Sequence, residues 1–239
     1  MGRNFNGTTD NLSYAGAIVT AEPFTISAWM SADDAAALKT VLGVGHTSNA
    51  NFFAQEAGTT GDGRPASCRR SDGASANSTA GFTIGSWENV IAVFAATNDR
   101  RAYVRGSNKG TQGSDAGAMG AVNRTNIGAL TYQGTLANYF KGKIAEVAIW
   151  NIALTDDNAT ALGVSNNSPL LVARPNLIAY WRINGSASPE VDEIGGFNMT
   201  VNGTTSTDHP SIVYPSTSTL AGTQPRFAYR GSNPRRGQR

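Results

Sequence analysis

Phe24-Thr25-Ile26-Ser27-Ala28-Trp29-Met30 alternates strictly: Phe24, Ile26, Ala28 and Met30 share one face, Thr25, Ser27 and Trp29 the other. Successive side chains of an extended chain point to opposite faces, so this period of two predicts a strand with a core face and a wetter face. The same pattern recurs on either side. Trp87 to Ala96 (WENVIAVFAA) is nearly continuous in its apolar part, as expected of a central strand. Arg101-Ala102-Tyr103-Val104 follows across Asn98-Asp99, residues that suit a hairpin turn. Lys143 to Trp150 puts Ala145, Val147 and Ile149 on one face and Glu146 on the other. Asn176 to Ile183 (NLIAYWRI) is closed by Asn184-Gly185, and Met199-Thr200-Val201 runs into Asn202-Gly203. Short strands at close intervals, punctuated by Gly and Asn, predict an all-β sandwich or barrel.

Helix signals are few. Ser31-Ala32-Asp33-Asp34 before Ala35 to Leu38 resembles a capping box and predicts one or two helical turns. Thr155-Asp156-Asp157-Asn158-Ala159 to Leu162 predicts a second short helix, ended at Gly163. Both read as surface connections, with their aspartate pairs placed to favour the helix dipole. Gly58 to Ala80 and Lys109 to Ala121 are Gly/Ser-rich and weakly patterned, and the former is expected to hold one poor strand.

Composition agrees with a β protein. Only 15% of the 239 residues are charged, against about 25% in typical soluble domains, so Ser, Thr, Asn and Gly must supply much of the polar surface. The length suffices to bury a core without metals or disulfides. The single cysteine, Cys68, cannot form an internal bridge. Met1-Gly2-Arg3-Asn4-Phe5-Asn6 has no apolar leader, and no window approaches the ~20 apolar residues of a membrane helix. The expectation is a protein made in a cytosol, with no membrane association and with its Asn-x-Ser/Thr triplets arising from composition. The net charge of +2 hides an asymmetry. After Asp208 there are five arginines and no acid, which leaves 14 of the 19 basic residues against 17 acidic ones in the body. The reading is therefore a sandwich over residues 1–213 and a basic, Pro/Arg-containing arm over 214–239.

Six pieces, in order, resemble the laminin-G-like group of the concanavalin A-like lectin/glucanase superfamily. Phe5-Asn6-Gly7 with Leu12 looks like its opening strand, and Phe24 to Trp29 is similar to its "FTISAW" strand. Trp87-Glu88-Asn89-Val90 resembles "W-x-x-V", Tyr103-Val104-Arg105-Gly106 resembles "YVDG", and Ile127-Gly128 comes next. Phe140 to Leu154 (FKGKIAEVAIWNIAL) resembles "F-x-G-x-I-D-E-V-x-I-[YW]-N-x-A-L". The resemblance covers roughly residues 4–154 and continues more weakly to 205. It implies a jelly-roll β-sandwich of two antiparallel sheets. Ala145 and Arg105 stand where the family has acids, which puts in doubt any calcium site built from those carboxylates.

Catalytic and metal signatures are weak, and the expectation is a protein that is no enzyme and has no metal or cofactor. The superfamily's enzymes use a Glu-x-Asp-x-x-Glu strand, pairing an acid with a nucleophile. The nearest approach, Glu190-Val191-Asp192-Glu193-Ile194-Gly195, lacks the last carboxylate and reads as a turn. His46 and His209 read as ordinary polar residues, because nothing local suggests that either is oriented by a carboxylate in space as nucleophilic catalysis requires. For sugar binding, an aromatic platform beside fixed polar groups is required. Tyr132, Asn138 and Tyr139 are the candidates, with core or rim packing as the plainer reading. In the arm, Phe227 and Tyr229 suit pockets on a partner while Arg226, Arg230, Arg235, Arg236 and Arg239 suit carboxylates or phosphates.

The leading expectation is a virion structural protein: a decoration or cement protein on the outside of a bacteriophage capsid, made in the host cytoplasm. The sandwich would adhere to the major capsid protein or other virion proteins, with the arm docking on neighbouring subunits and homo-oligomers allowed. The alternative is a carbohydrate-binding, lectin-like module on a phage tail or fibre. Nucleic acid is disfavoured as a partner because the body is acidic.

Overall fold

The computed structural model describes residues 1–58, 66–71, 75–185 and 187–216. In chain order its strands are β1 (Gly2–Asn6), β2 (Asn11–Tyr14), β3 (Phe24–Ala32), β4 (Lys39–Gly45), β5 (Phe53–Ala57), β6 (Ala66–Arg70), β7 (Ala76–Asn77), β8 (Glu88–Ala96), β9 (Asp99–Val104), β10 (Ser107–Gln112), β11 (Arg124–Ile127), β12 (Leu130–Tyr132), β13 (Thr135–Ala137), β14 (Lys141–Trp150), β15 (Leu177–Trp181), β16 (Thr200–Asn202) and β17 (Thr205–Thr207). One sheet runs β10-β9-β8-β3-β14-β1-β17, with β15 also pairing β14. The other runs β16-β2-β11-β4-β5-β6-β7, and β12 with β13 forms a separate hairpin. All of these pairings are antiparallel. The fold is the all-β, two-sheet jelly-roll sandwich expected from the sequence. No helix among the described residues is long and apolar enough to cross a membrane.

The core lies between the sheets. Phe24 stacks on Phe94 with ring centroids 4.5 Å apart, and Phe53 from the facing sheet meets both edge-on at 5.0 and 5.3 Å. Each fully buried phenylalanine contributes about 1.5–3 kcal/mol by leaving water, and offset or edge contacts add to this.

The second face of the larger sheet is buried too, against the expectation for β3. Ile91, Val93, Tyr103, Ala148 and Trp150 pack there with Ala159 and Leu162 of α1 (Asp156–Gly163) and with Val172. All nine residues of β3 are buried as well, and its Thr25 and Ser27 find partners. The Thr25 hydroxyl donates to the Ile152 carbonyl at 2.8 Å and accepts the Leu154 amide at 3.0 Å, while Ser27 Oγ accepts from Asn89 Nδ2 at 3.0 Å. Helix α1 forms where the sequence predicted a short helix, capped by a box of Thr155 with Asn158, but it serves as a covering layer and not as a plain surface connection.

The other predicted helix, at Ser31–Leu38, does not form. Ser31 is still in β3, paired with Lys143, and the Asp33 amide donates to the Lys141 carbonyl at 3.1 Å. Sheet pairing has taken the backbone groups that a helix cap would need. The weakly patterned stretch after Gly58 holds two described strands, β6 and β7, where one was expected.

A β-bulge in β14 alters the expected faces. Up to Ile144 the strand pairs with β1, and from Val147 it pairs with β15. Glu146, at φ +54°, is at the switch. The extra residue breaks the alternation, so Ile144, Val147 and Ile149 enter the main core and Ala145 does not.

Candidate functional site

A concavity opens on the face of the seven-stranded sheet turned away from the core. Its volume is about 460 Å³, and its walls include Phe52, Arg69, Arg70, Ser71, Tyr132 and Asn138. Two of the three sugar-binding candidates, Tyr132 and Asn138, are therefore brought together. Tyr139 is half-buried and does not line the cleft; it leads directly into the core residue Phe140.

The β12–β13 hairpin forms one wall. Tyr132 pairs with Thr135 across a two-residue turn, Gln133-Gly134, both at positive φ (+50° and +79°), the geometry that matches strand twist. The turn is pinned to the preceding loop: the Gln133 amide donates to the Asn49 carbonyl at 3.1 Å, and Gly134 donates to the His46 carbonyl. His46 itself is structural, its Nδ1 accepting the amides of Ser48 and Asn49. The hairpin lies close on β4 because Gly45 has no side chain; a Cβ there would stand 1.8 Å from the Thr131 carbonyl oxygen. Phe52, Ala54 and Leu130 form a small buried cluster under the cleft. Tyr132, 38% exposed, meets Phe52 edge-on with centroids 6.1 Å apart.

A buried carboxylate organises the polar side. Glu56, fully buried on β5, accepts from Asn138 Nδ2 at 3.2 Å and from the Thr40 hydroxyl at 3.4 Å. Its other oxygen lies 3.3 Å from Arg69 on β6. Burial pushes the Glu56 carboxyl above its ordinary range, with Arg69 and the two hydrogen bonds pulling the other way. Asn138 adopts the left-handed conformation (φ +50°), and its carbonyl accepts the Thr40 amide at 2.8 Å. With Nδ2 held by Glu56, the amide has a set orientation. The Arg69 guanidinium stacks 4.7 Å above the Phe52 ring.

Sequence reasoning missed Phe52, Glu56 and Arg69. One signal was present: Glu56 is the single acid in the otherwise uncharged run Phe52 to Ala57, where a buried charge needs a partner.

A second polar cluster lies on the larger sheet. Glu146 is buried and accepts the Tyr180 hydroxyl at 2.6 Å and the Tyr214 hydroxyl at 2.7 Å. His209 Nε2 approaches the same carboxylate to 3.1 Å, so the histidine does have a carboxylate neighbour, though one distant in sequence. The hydroxyls on Glu146 are phenols, and Ser168 Oγ meets the Tyr180 hydroxyl at 3.4 Å while accepting the Leu170 amide at 3.3 Å. The arrangement fastens residues 209–214 to the sandwich. Among the described residues, no group of three or more His, Cys, Asp or Glu side chains could hold a metal ion.

The residues nearest to the family's catalytic strand are used structurally. Glu190 pairs with buried Arg3 at 2.8 Å, and Asp192 accepts the backbone amides of Tyr180, Ile194, Gly195 and Phe197. Arg105, where the family has an acid, sits at φ +57° and pairs with Glu88 at 2.9 Å. The arm residues Arg226, Phe227, Tyr229, Arg230, Arg235, Arg236 and Arg239 lie outside the described residues.

Comparison with known proteins agrees with this architecture. The chain resembles a putative carbohydrate-binding protein from Bacteroides ovatus (TM-score 0.62, 22% identity, 89% of this chain and 61% of that one). It also resembles a heptameric SAP-like pentraxin from Limulus polyphemus (0.60, 15%, 73% and 84%). A third likeness is to domain 4 of an extracellular GH43 arabinanase from Geobacillus stearothermophilus, solved with arabinotriose (0.55, 17%, 68% and 76%). At these identities the likeness is one of fold. Among curated proteins, none matches the chain. The family model described as the concanavalin A-like lectin/glucanases superfamily, of the laminin-G kind, matches residues 6–160, and the chain belongs to that family.

Proposed function

We propose that the protein is a lectin-like module that binds carbohydrate in the Phe52–Tyr132–Asn138 cleft and performs no catalysis. The observation that carries this reading is the pairing, in one cleft, of a solvent-exposed tyrosine supported by a buried aromatic ring with an amide held by a buried carboxylate. A pyranose needs both: an apolar platform for its C–H face and fixed polar groups for its hydroxyls. The fold likeness to a carbohydrate-binding protein and to an arabinanase domain seen with arabinotriose supports the same reading. The non-catalytic part is supported by the structural use of Glu190 and Asp192. A glycan array followed by calorimetry tests the proposal. Reproducible, competable binding is expected, with Tyr132→Ala weakening it on the order of tenfold, equivalent to about 1.4 kcal/mol. An array without binding, or an unaffected Tyr132→Ala, would overturn the reading.

The charge asymmetry favours a second reading, in which the module sits on a virion and the basic arm docks on capsid subunits. Five arginines and no acid after Asp208 support it. Particle binding by a chain truncated after Tyr214 is the test; full capsid occupancy by that form would sink it.

A further inference from the structure

The described walls of the cleft contain two guanidinium groups and no carboxylate. The two arginines differ in how their donors are used. Arg70 is engaged at both ends of its fork, with Nη1 2.5 Å from Glu22 Oε1 and Nη2 donating to the Gly117 carbonyl at 2.8 Å. Arg69 is not. Its side chain is 27% exposed, it stacks on Phe52, and it lies 3.3 Å from Glu56 outside hydrogen-bond geometry. Among the described residues no acceptor takes a hydrogen bond from its guanidinium.

A guanidinium carries five N–H donors in a planar fork that matches a carboxylate in two-point fashion. Stacking on Phe52 and the Glu56 carboxyl 3.3 Å away restrict where that fork can point, so less rotamer entropy is lost when it binds. Glu56 neutralises it incompletely: burial disfavours the ionised carboxyl, and only one of its oxygens faces Arg69. The result is a pre-positioned cation with unused donors, on the wall of a cleft in a body that is otherwise acidic.

We propose that the cleft selects carboxylate-bearing sugars, uronic or sialic acids, with Arg69 as the specificity-determining residue that receives the sugar carboxylate. This rests on the carbohydrate-binding reading above and narrows it to a substrate class. The sugar ring would lie against Tyr132 with its carboxylate toward Arg69, and Asn138 would meet a ring hydroxyl.

The test uses the full chain and matched pairs of probes: oligogalacturonate against its methyl ester, and sialyllactose against lactose. In at least one pair the acidic member should bind about tenfold or more tightly, and added salt should weaken that member selectively. Arg69→Gln should abolish the preference, the acidic member losing about tenfold or more affinity beyond whatever the neutral member loses. Because Arg69→Gln also strips Glu56 of its cation, Arg69→Lys is measured beside it. That variant keeps a charge next to Glu56 but loses the fork, and should retain the fold and lose most of the preference. If neutral sugars bind as well as acidic ones, and Arg69→Gln weakens both alike, the inference falls and the carbohydrate-binding reading stands. If no member of any pair binds, both fall together.

Discussion

The Tyr214 hydroxyl donates a 2.7 Å hydrogen bond to Glu146, a buried carboxylate 68 positions earlier on a bulged strand. Arg182 lies 4.5 Å over the Tyr214 ring, and Val213 bridges to Asn167. Burial, reinforced by Glu146, pushes the Tyr214 phenol above its ordinary range, so it remains a donor well into alkaline solution. Hydrogen bonds to charged groups are worth about 1.5–3 kcal/mol, and loss of one leaves the carboxylate short of a partner. Tyr214→Phe should lower stability by about that amount in urea unfolding; an unchanged midpoint would show that residues 209–214 are held by other contacts.

Glu56 gives a pH signature. Its folded carboxyl is raised above the ordinary 4.5, so the native state binds the proton more tightly than the unfolded chain does. The stabilising contribution is complete below about 4.5 and disappears as pH rises through the higher folded value. Glu56→Gln removes this dependence. The difference in stability between wild type and variant should therefore shift in favour of wild type as pH falls from 7 toward 4.5. Parallel curves would mean that the folded Glu56 carboxyl is not raised above its ordinary range.

Arg3 and Glu190 form a buried pair joining β1 to the segment before β16, with Arg3 also donating to the Ala187 carbonyl at 2.7 Å. Removing one partner of such a pair leaves an uncompensated charge and costs about 3–5 kcal/mol. Glu190→Met alone should therefore be more harmful than Arg3→Met/Glu190→Met in thermal or urea melts. The reverse order would refute the account of Glu190 as half of a desolvated pair.

Gly45→Ala tests the packing of the hairpin. A Cβ 1.8 Å from the Thr131 carbonyl must push β12 away from β4, a clash with backbone that no side-chain rotation relieves. Overpacking of this kind costs about 1–3 kcal/mol. Because Tyr132 rides on the same hairpin, carbohydrate affinity should fall with stability. A variant that is destabilised but binds normally would separate the hairpin from the cleft.

Much of the fold was legible in the sequence, because period-two alternation and turn residues are local and their physics needs no partner. Phe24 to Met30, Trp87 to Ala96 and Lys143 to Trp150 all lie within strands or start one residue ahead of one, and the Thr155 capping box starts a helix. The failures have one cause. Ser31 to Leu38 carries a helix-start pattern, but Ser31 and Asp33 are already committed to β14. On the wetter face of β3, Thr25 is capped by Ile152 and Leu154, more than a hundred residues later, and Ser27 by Asn89 of the neighbouring strand. The bulge at Glu146 exists because β14 changes partner there, which no local pattern records.

The candidate site divides the same way. Tyr132 and Asn138 were recognisable by residue type, since exposed aromatics and amides near turns are the raw material of sugar binding. Phe52, Glu56 and Arg69 were not, because their roles depend on β5 and β6 lying beside the β12–β13 hairpin. By itself the sequence determined an all-β sandwich and where its main strands run, since alternation and turn chemistry act over a few residues. Only the tertiary structure decided that a buried carboxylate on β5 would hold Asn138 from one side and Arg69 from the other, because desolvation and charge pairing depend on distance in space and not along the chain.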